Sequence, residues 1–459
     1  MKYELLIKNG HVYAPQDLGV VDIAVTDGKI AKVGKGLDAE AVRVIDAFGK
    51  TVIPGAIETH AHMNMPFAGT KTMNDFYDGT MSGAFGGVTT LVDFAQQIKG
   101  VPLIMACEDR VKEAKGHAVV DYGFHATITT VDDETIDAIP KLMEMGFTSF
   151  KVHTTYKDGG LYIDTPGLRR TFAAIAKAGG IVTVHAENDD MIEAAKNHLL
   201  AEGKTGAVYF PQYKPDEAEA EAVDRCIEIA KETGCKLLIR HISSAAGAKS
   251  VAAAQKAGYP VYGETCPQYL AFTREVYTQE NGRDYILHPP IRGAADRDAI
   301  WGELVESDVK CTMATDDCGF YLSQKRMNDT FYGVPGGLPG IETRLVTLYE
   351  MGVAQGRIGV GRMVEMLSTE PAKLYGIYPQ KGVIAEGSDA DIVVLDTGVS
   401  YALTAKDLHE RSDYTPFEGM QMHAAVAQTV ANGKVIVDGR EFLGEEGAGR
   451  FLVRGKPQG

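Results

Sequence analysis

Between residues 52 and 315 the chain alternates short, apolar, β-rich runs with amphipathic stretches of helical length. The runs fall at 52–60, 89–94, 119–127, 149–153, 181–185, 236–241, 261–264 and 310–315; helical stretches between them include 103–115, 135–145, 168–178, 216–233 and 246–257. A strand that is apolar along its whole length is covered on both faces, and repeated β-then-α units place such strands in a parallel sheet. Eight units suggest an α/β fold closed into a (β/α)8 TIM-like barrel. Counting alone leaves an open doubly wound sheet as the alternative.

At both ends the pattern changes. Residues 5–8, 21–25, 30–33 and 42–45 read as short strands around the Asp27-Gly28 turn, and 390–395, 424–430 and 434–437 repeat the pattern around Asn432-Gly433. Asp-Gly and Asn-Gly between such runs mark tight hairpins. Neither end can enclose a core alone, so the two are expected to fold together. The expected division is a discontinuous β-sandwich from 1–54 and 376–459, and a barrel from 55–375. Loops at 63–72, 154–165 and 320–340 follow predicted strands, the side on which barrels build their sites. The last of them, with Gly333, Pro335, Gly336, Gly337, Pro339 and Gly340, reads as a binding loop.

Composition narrows the partners. The 459 residues are 45% hydrophobic and 24% charged, and the net charge of −16 argues against nucleic acid or an anionic membrane as the main partner. Lys2, Glu4 and Lys8 interrupt the apolar residues of the N-terminus, which lacks the core of a signal peptide, and no stretch approaches a spanning helix; the expected compartment is the cytoplasm. Six cysteines with no C-x-x-C pair read as reduced core thiols.

The candidate chemistry lies at strand ends. His60 and His62 are two apart on the first predicted strand, so both imidazoles reach the same side. Lys151, His185, His241 and Asp316 also fall at or just beyond C-terminal strand ends, where a barrel gathers its reactive groups. Singly, each has a plainer explanation: a hydrogen-bonded core histidine for His185 or His241, a helix cap for Asp316, a solvated ammonium for Lys151. Together at one rim they suggest a metal centre. Histidines with a carboxylate suit zinc, with manganese, nickel or iron as substitutes. An ammonium cannot ligate a cation, so Lys151 would have to be neutral and carboxylated by carbon dioxide; desolvated lysines do lose their proton.

The chain resembles the dihydropyrimidinase and hydantoinase family of the amidohydrolase superfamily. The matching stretches are Thr59-His60-Ala61-His62 with Met65-Pro66-Phe67, Phe85-Gly86-Gly87-Val88-Thr89-Thr90, Phe150-Lys151-Val152, Val184-His185-Ala186-Glu187-Asn188, Gly263-Glu264-Thr265-Cys266-Pro267-Gln268-Tyr269-Leu270, Pro289-Pro290, Gly387-Ser388-Asp389-Ala390-Asp391 and Tyr414-Thr415-Pro416-Phe417-Glu418-Gly419. The resemblance implies two divalent ions: His60, His62 and Asp316 on one, His185 and His241 on the other, and N6-carboxylated Lys151 bridging both. It implies opening of a 5-substituted hydantoin or dihydropyrimidine to an N-carbamoyl amino acid by a hydroxide bridging the ions. Asp316 would carry the proton and Tyr156 would donate to the oxyanion. Substrate contacts would come from Tyr156, His288, Gly336, Met65, Phe67 and His153, in a homotetramer or homodimer. Allantoin and dihydroorotate are the alternative substrates, and a catalytically silent scaffold protein is the non-enzyme alternative.

The chain departs from the family pattern at His288, where serine precedes Pro-Pro, at Asp317, where histidine follows Asp316, at Gly336, where asparagine precedes glycine, and at His153 and Thr154, where apolar residues follow the lysine. Two expectations follow. His288 and Asp317 form a hydrogen-bonded pair across the rim, and His153, Thr154 and His288 make the substituent pocket more polar.

Overall fold

At Gly55 the chain leaves one sheet and enters another. In the computed structural model, which describes residues 2–67 and 69–458, Thr51–Pro54 runs antiparallel to Ile392–Asp396 in a sheet built from the chain termini, while Ala56–Glu58 pairs in parallel with Val88–Gln96. The apolar run 52–60 is therefore two strands rather than the single barrel strand its composition suggests. Pro54 has no N–H to extend a ladder. A Cβ on Gly55 would lie 2.1 Å from Thr89 Oγ1, so only glycine lets the backbone cross there.

Among the described residues, eight parallel strands follow in chain order: Ala56–Glu58, Val88–Gln96, Asp121–Thr127, Ser149–His153, Ile181–His185, Lys236–Ile239, Val261–Thr265 and Cys311–Met313. Just past the strand ends the two edges of this sheet meet, as His62 N donates to Asp317 O (2.8 Å) and Asp317 N donates to His60 O (3.1 Å). This is the barrel, not the open sheet. Asp132, Asp164, Asn188 and Ser244 cap the helices Asp133–Glu144, Thr165–Ala178, Asp189–Ala201 and Ala245–Lys256, each accepting from a first-turn N–H. The caps fix where each loop above the barrel ends.

The terminal strands form one nine-stranded sheet among the described residues. Its central strand, Tyr3–Tyr13, is bulged between Ile7 and Gly10, and one edge pairs first with Ala41–Asp46 and then with Thr51–Pro54. The expected sandwich thus takes the form of a forked sheet around a single apolar core that includes Leu5, Ile7, Val12, Ile23, Val25, Ile392, Val394 and Val430.

The last part of the chain closes the barrel base. Tyr122 N donates to Arg450 O and Leu452 N to Tyr122 O, and the buried Arg454 guanidinium donates to Ser149 Oγ (2.9 Å), Gly146 O (3.2 Å) and Phe124 O. From there a hydrogen-bonded column rises through the barrel. His125 Nδ1 meets Ser149 Oγ (2.6 Å), Arg240 Nη2 meets His125 Nε2 (2.9 Å), Arg240 Nη1 meets Glu264 Oε2 (2.6 Å), and Glu264 Oε1 meets His60 Nδ1 (2.6 Å). The interior is polar, and each of these contacts compensates a group taken out of water.

Candidate active site

The column ends at a cavity of about 290 Å³ at the C-terminal mouth of the barrel. His60, His62, Lys151, His185, His241 and Asp316 all line it, as do Tyr156, His288, Gly336, Met65, Phe67 and His153. Asp316 Oδ1 lies 3.0 Å from His60 Nε2 and 3.1 Å from His62 Nε2. The rings of His185 and His241 are 4.4 Å apart between centroids. Among the described residues, three of the seven non-glycine residues with positive φ are here: Tyr156 (66°), His241 (37°) and Asp316 (53°). Such conformations cost about 1–3 kcal/mol each and persist where the surroundings hold a side chain in one direction.

Burial sets the charges. Burial, assisted by the Arg240 guanidinium, lowers the Lys151 ammonium to about 7; its Nζ sits 5.4 Å from the Phe94 ring centroid. Burial, with nearby cationic and imidazole groups, also lowers His185 and His241 well below the usual histidine range, and burial lowers His62. Burial opposes charge on Asp316 too, yet the charge and hydrogen bond of His60 and the hydrogen bond of His62 hold its carboxyl well below the usual range. Burial and the carboxylate of Glu187 raise the Tyr156 hydroxyl well above its ordinary value, so it stays a donor. Glu187 Oε2 accepts from His185 Nε2 (2.7 Å) and from Lys214 Nζ (2.6 Å).

The departures from the family pattern fall differently. His288 and Asp317 do not pair. The Asp317 carboxylate accepts from Gly340 N (2.8 Å) and Ile341 N (3.4 Å), outside the cavity, because its backbone is tied to His60 and His62 where the barrel closes and its side chain satisfies the turn at Gly340. The His288 ring lies instead among Phe67, Tyr156 and Phe210, where burial and the Lys214 ammonium lower it to about 3. A Cβ on Gly336 would sit 2.3 Å from His288 Cδ2, so these two departures occupy one space. Thr154 does not line the cavity either: its hydroxyl donates to Glu187 O (2.8 Å) and accepts from Glu187 N (2.9 Å). His153 does line it, 6.0 Å from Tyr156 between ring centroids.

An amidohydrolase family model matches residues 51–436. The chain belongs to the amidohydrolase family. A D-hydantoinase of Geobacillus stearothermophilus is 39% identical over 98% of this chain and 96% of its own length, and a D-hydantoinase of Ralstonia pickettii is 35% identical over 99% of each. The crystal structure of a dihydropyrimidinase from Brevibacillus agri superposes with a TM-score of 0.95 at 37% identity, covering 98% of this chain and 99% of that one.

The donor set of this amidohydrolase fits a cation. His60, His241 and Asp316 each bring a ligand atom within 4.8 Å of the others. The His241 imidazole, which burial keeps neutral, leaves a lone pair free, as metal binding requires. Sequence reasoning missed the groups that aim these donors: Glu264 behind His60, Glu187 and Lys214 behind His185, and Arg240 between Glu264 and His125. The available signal was a charged residue inside an otherwise apolar strand end, as at Glu264. Glu264→Gln leaves Arg240 unbalanced, and breaking such a buried pair costs about 3–5 kcal/mol. Metal affinity is expected to fall about 10–100-fold, the usual effect of losing a ligand's orienting partner. Metal titration of the apo variant beside its thermal unfolding checks this; affinity within about threefold of wild type counts against it.

Proposed function

We propose that this amidohydrolase opens the ring of a 5-substituted hydantoin or dihydropyrimidine to give an N-carbamoyl amino acid. The observation that carries the reading is the convergence of His60, His62, Lys151, His185, His241 and Asp316 on one cavity; the names of the relatives support the ring class. The site would hold two divalent ions, zinc first and manganese, nickel or iron as substitutes. His60, His62 and Asp316 would hold one and His185 and His241 the other, with the Lys151 carbamate reaching both. Neutral Lys151 forms that carbamate as its nitrogen bonds to carbon dioxide and loses a proton. When bound, such ions lower the pKa of a water and polarise a carbonyl.

The chain's own groups do the rest. The Asp316 carboxylate takes the proton of the attacking water and returns it to the ring nitrogen as the C–N bond breaks. Tyr156 Oη donates to the carbonyl oxygen as charge develops on it. Met65, Phe67, His153, His288 and Gly336 surround the ring and its substituent, His153 and His288 making that wall more polar. Among the described residues no helix is long and apolar enough to cross a membrane; the proposed compartment is the cytoplasm and the proposed assembly a homotetramer or homodimer. The proposed domains are 1–54 with 376–459, and 55–375, supported by the crossing at Gly55. Metal analysis of the purified protein, with a screen of hydantoin, dihydrouracil, allantoin and dihydroorotate, tests the function. About two ions per chain and turnover of hydantoin or dihydrouracil are expected; less than about one ion and no turnover would sink the reading in favour of a scaffold.

A further inference from the structure

Lys325 is fully buried, yet no carboxylate lies within ion-pair distance of it among the described residues. The carboxylate of Asp284, nearby, is engaged by Arg326 (2.7 Å). The ammonium instead gives its three N–H groups to three backbone carbonyls: Ile286 O at 2.6 Å, Pro335 O at 2.9 Å and Gly337 O at 2.9 Å. Burial lowers the Lys325 ammonium to about 7, and a desolvated ammonium is costly unless every donor finds an acceptor, as each does here. The carbonyls belong to two segments far apart in the chain. Ile286 stands two residues before His288, while Pro335 and Gly337 flank Gly336, and Gly337 N donates back to Ile286 O (2.9 Å). The spacing these contacts set is tight. A Cβ on Gly336 would meet His288 Cδ2 at 2.3 Å, and one on Gly337 would meet Cys318 O at 2.3 Å. Among the described residues, no other side chain hydrogen-bonds both segments.

We propose that Lys325 is a positioning residue for substrate recognition, its ammonium holding the His288 segment against the Gly336 turn so that the two form one wall against which a cyclic ureide is seated. The proposal rests on the functional reading above, since it is the ureide ring that meets this wall. Lys325 touches no reacting atom; it acts through the backbone of the two segments. Lys325→Met removes the donors at similar length. Its KM is expected to rise about tenfold or more with kcat within about threefold of wild type, the signature of lost binding rather than lost chemistry. Backbone amide exchange is expected to quicken in 284–290 and 333–340 and not in the remaining barrel loops. Lys325→Gln, which keeps two N–H donors, is expected to fall between, and carries the test if the Met variant does not fold. A KM within about twofold of wild type, or unchanged exchange in both segments, overturns the proposal. Wild-type enzyme that opens no ureide ring overturns the functional reading instead, and the exchange comparison then decides the clamp by itself.

Discussion

Asp316→Asn is expected to lower kcat by about 10,000-fold, the upper end of what a proton-transferring group supplies. The amide cannot take the water proton and offers His60 and His62 no negative charge at 3.0 and 3.1 Å. The φ of 53° at this position suits asparagine as readily as aspartate, so the backbone turn should survive. Loss of activity with an unchanged unfolding temperature is therefore the expected pair of results. Product formation, followed by chromatography with metal content measured on the same sample, separates lost chemistry from lost metal. A variant retaining more than about a tenth of wild-type kcat would remove Asp316 from the role of proton carrier.

Lys151→Ala is expected to be about as severe and to differ in kind. Removing the side chain deletes the group that would link two ions, so occupancy should fall toward one ion per chain or fewer, with activity recovered in part by added formate, acetate or propionate filling the space. The wild-type lysine adds a pH test. With the ammonium at about 7, the neutral amine that reacts with carbon dioxide is in excess above that pH and falls about tenfold per unit below it. Metal-stripped enzyme supplied with zinc at the same dissolved carbon dioxide concentration should regain activity faster at pH 8 than at pH 6. Equal rates at both pH values, or no response of the alanine variant to small carboxylates, would speak against a carbamate at this position.

Much of the site was legible because its residues obey one positional rule. His60, His62, Lys151, His185, His241 and Asp316 stand at strand ends, and apolar strands separated by capped helices put those ends on one rim. The expectation of a carbamate at Lys151 came only through resemblance, since nothing in Phe150-Lys151-Val152 distinguishes a desolvated lysine from a solvated one. The crossing at Gly55 was masked by the apolar residues that continue through it; Pro54-Gly55 was the local signal, and the contact with Thr89 shows why glycine is required there. The pairing of His288 with Asp317 failed because Asp317 is committed to the barrel closure through His60 and His62 and to Gly340 N, contacts between distant segments that no local pattern marks. The orienting groups were harder. Lys214 follows the short helix Phe210–Tyr213 and Lys325 ends the four-residue helix Leu322–Lys325, segments too short for a period to predict direction, and their partners include Glu187 and Ile286, which are distant in sequence.

The forked sheet and the plugged barrel base set an order on synthesis. Thr51–Pro54 leaves the ribosome early, but its partner Ile392–Asp396 and the Arg454 plug are made only after all eight barrel strands. For most of translation the nascent chain carries an unpaired apolar strand edge and an open barrel floor, surfaces of the kind that aggregate or are held by chaperones. Both are sealed by contacts between distant parts of the chain, the slowest class of folding event.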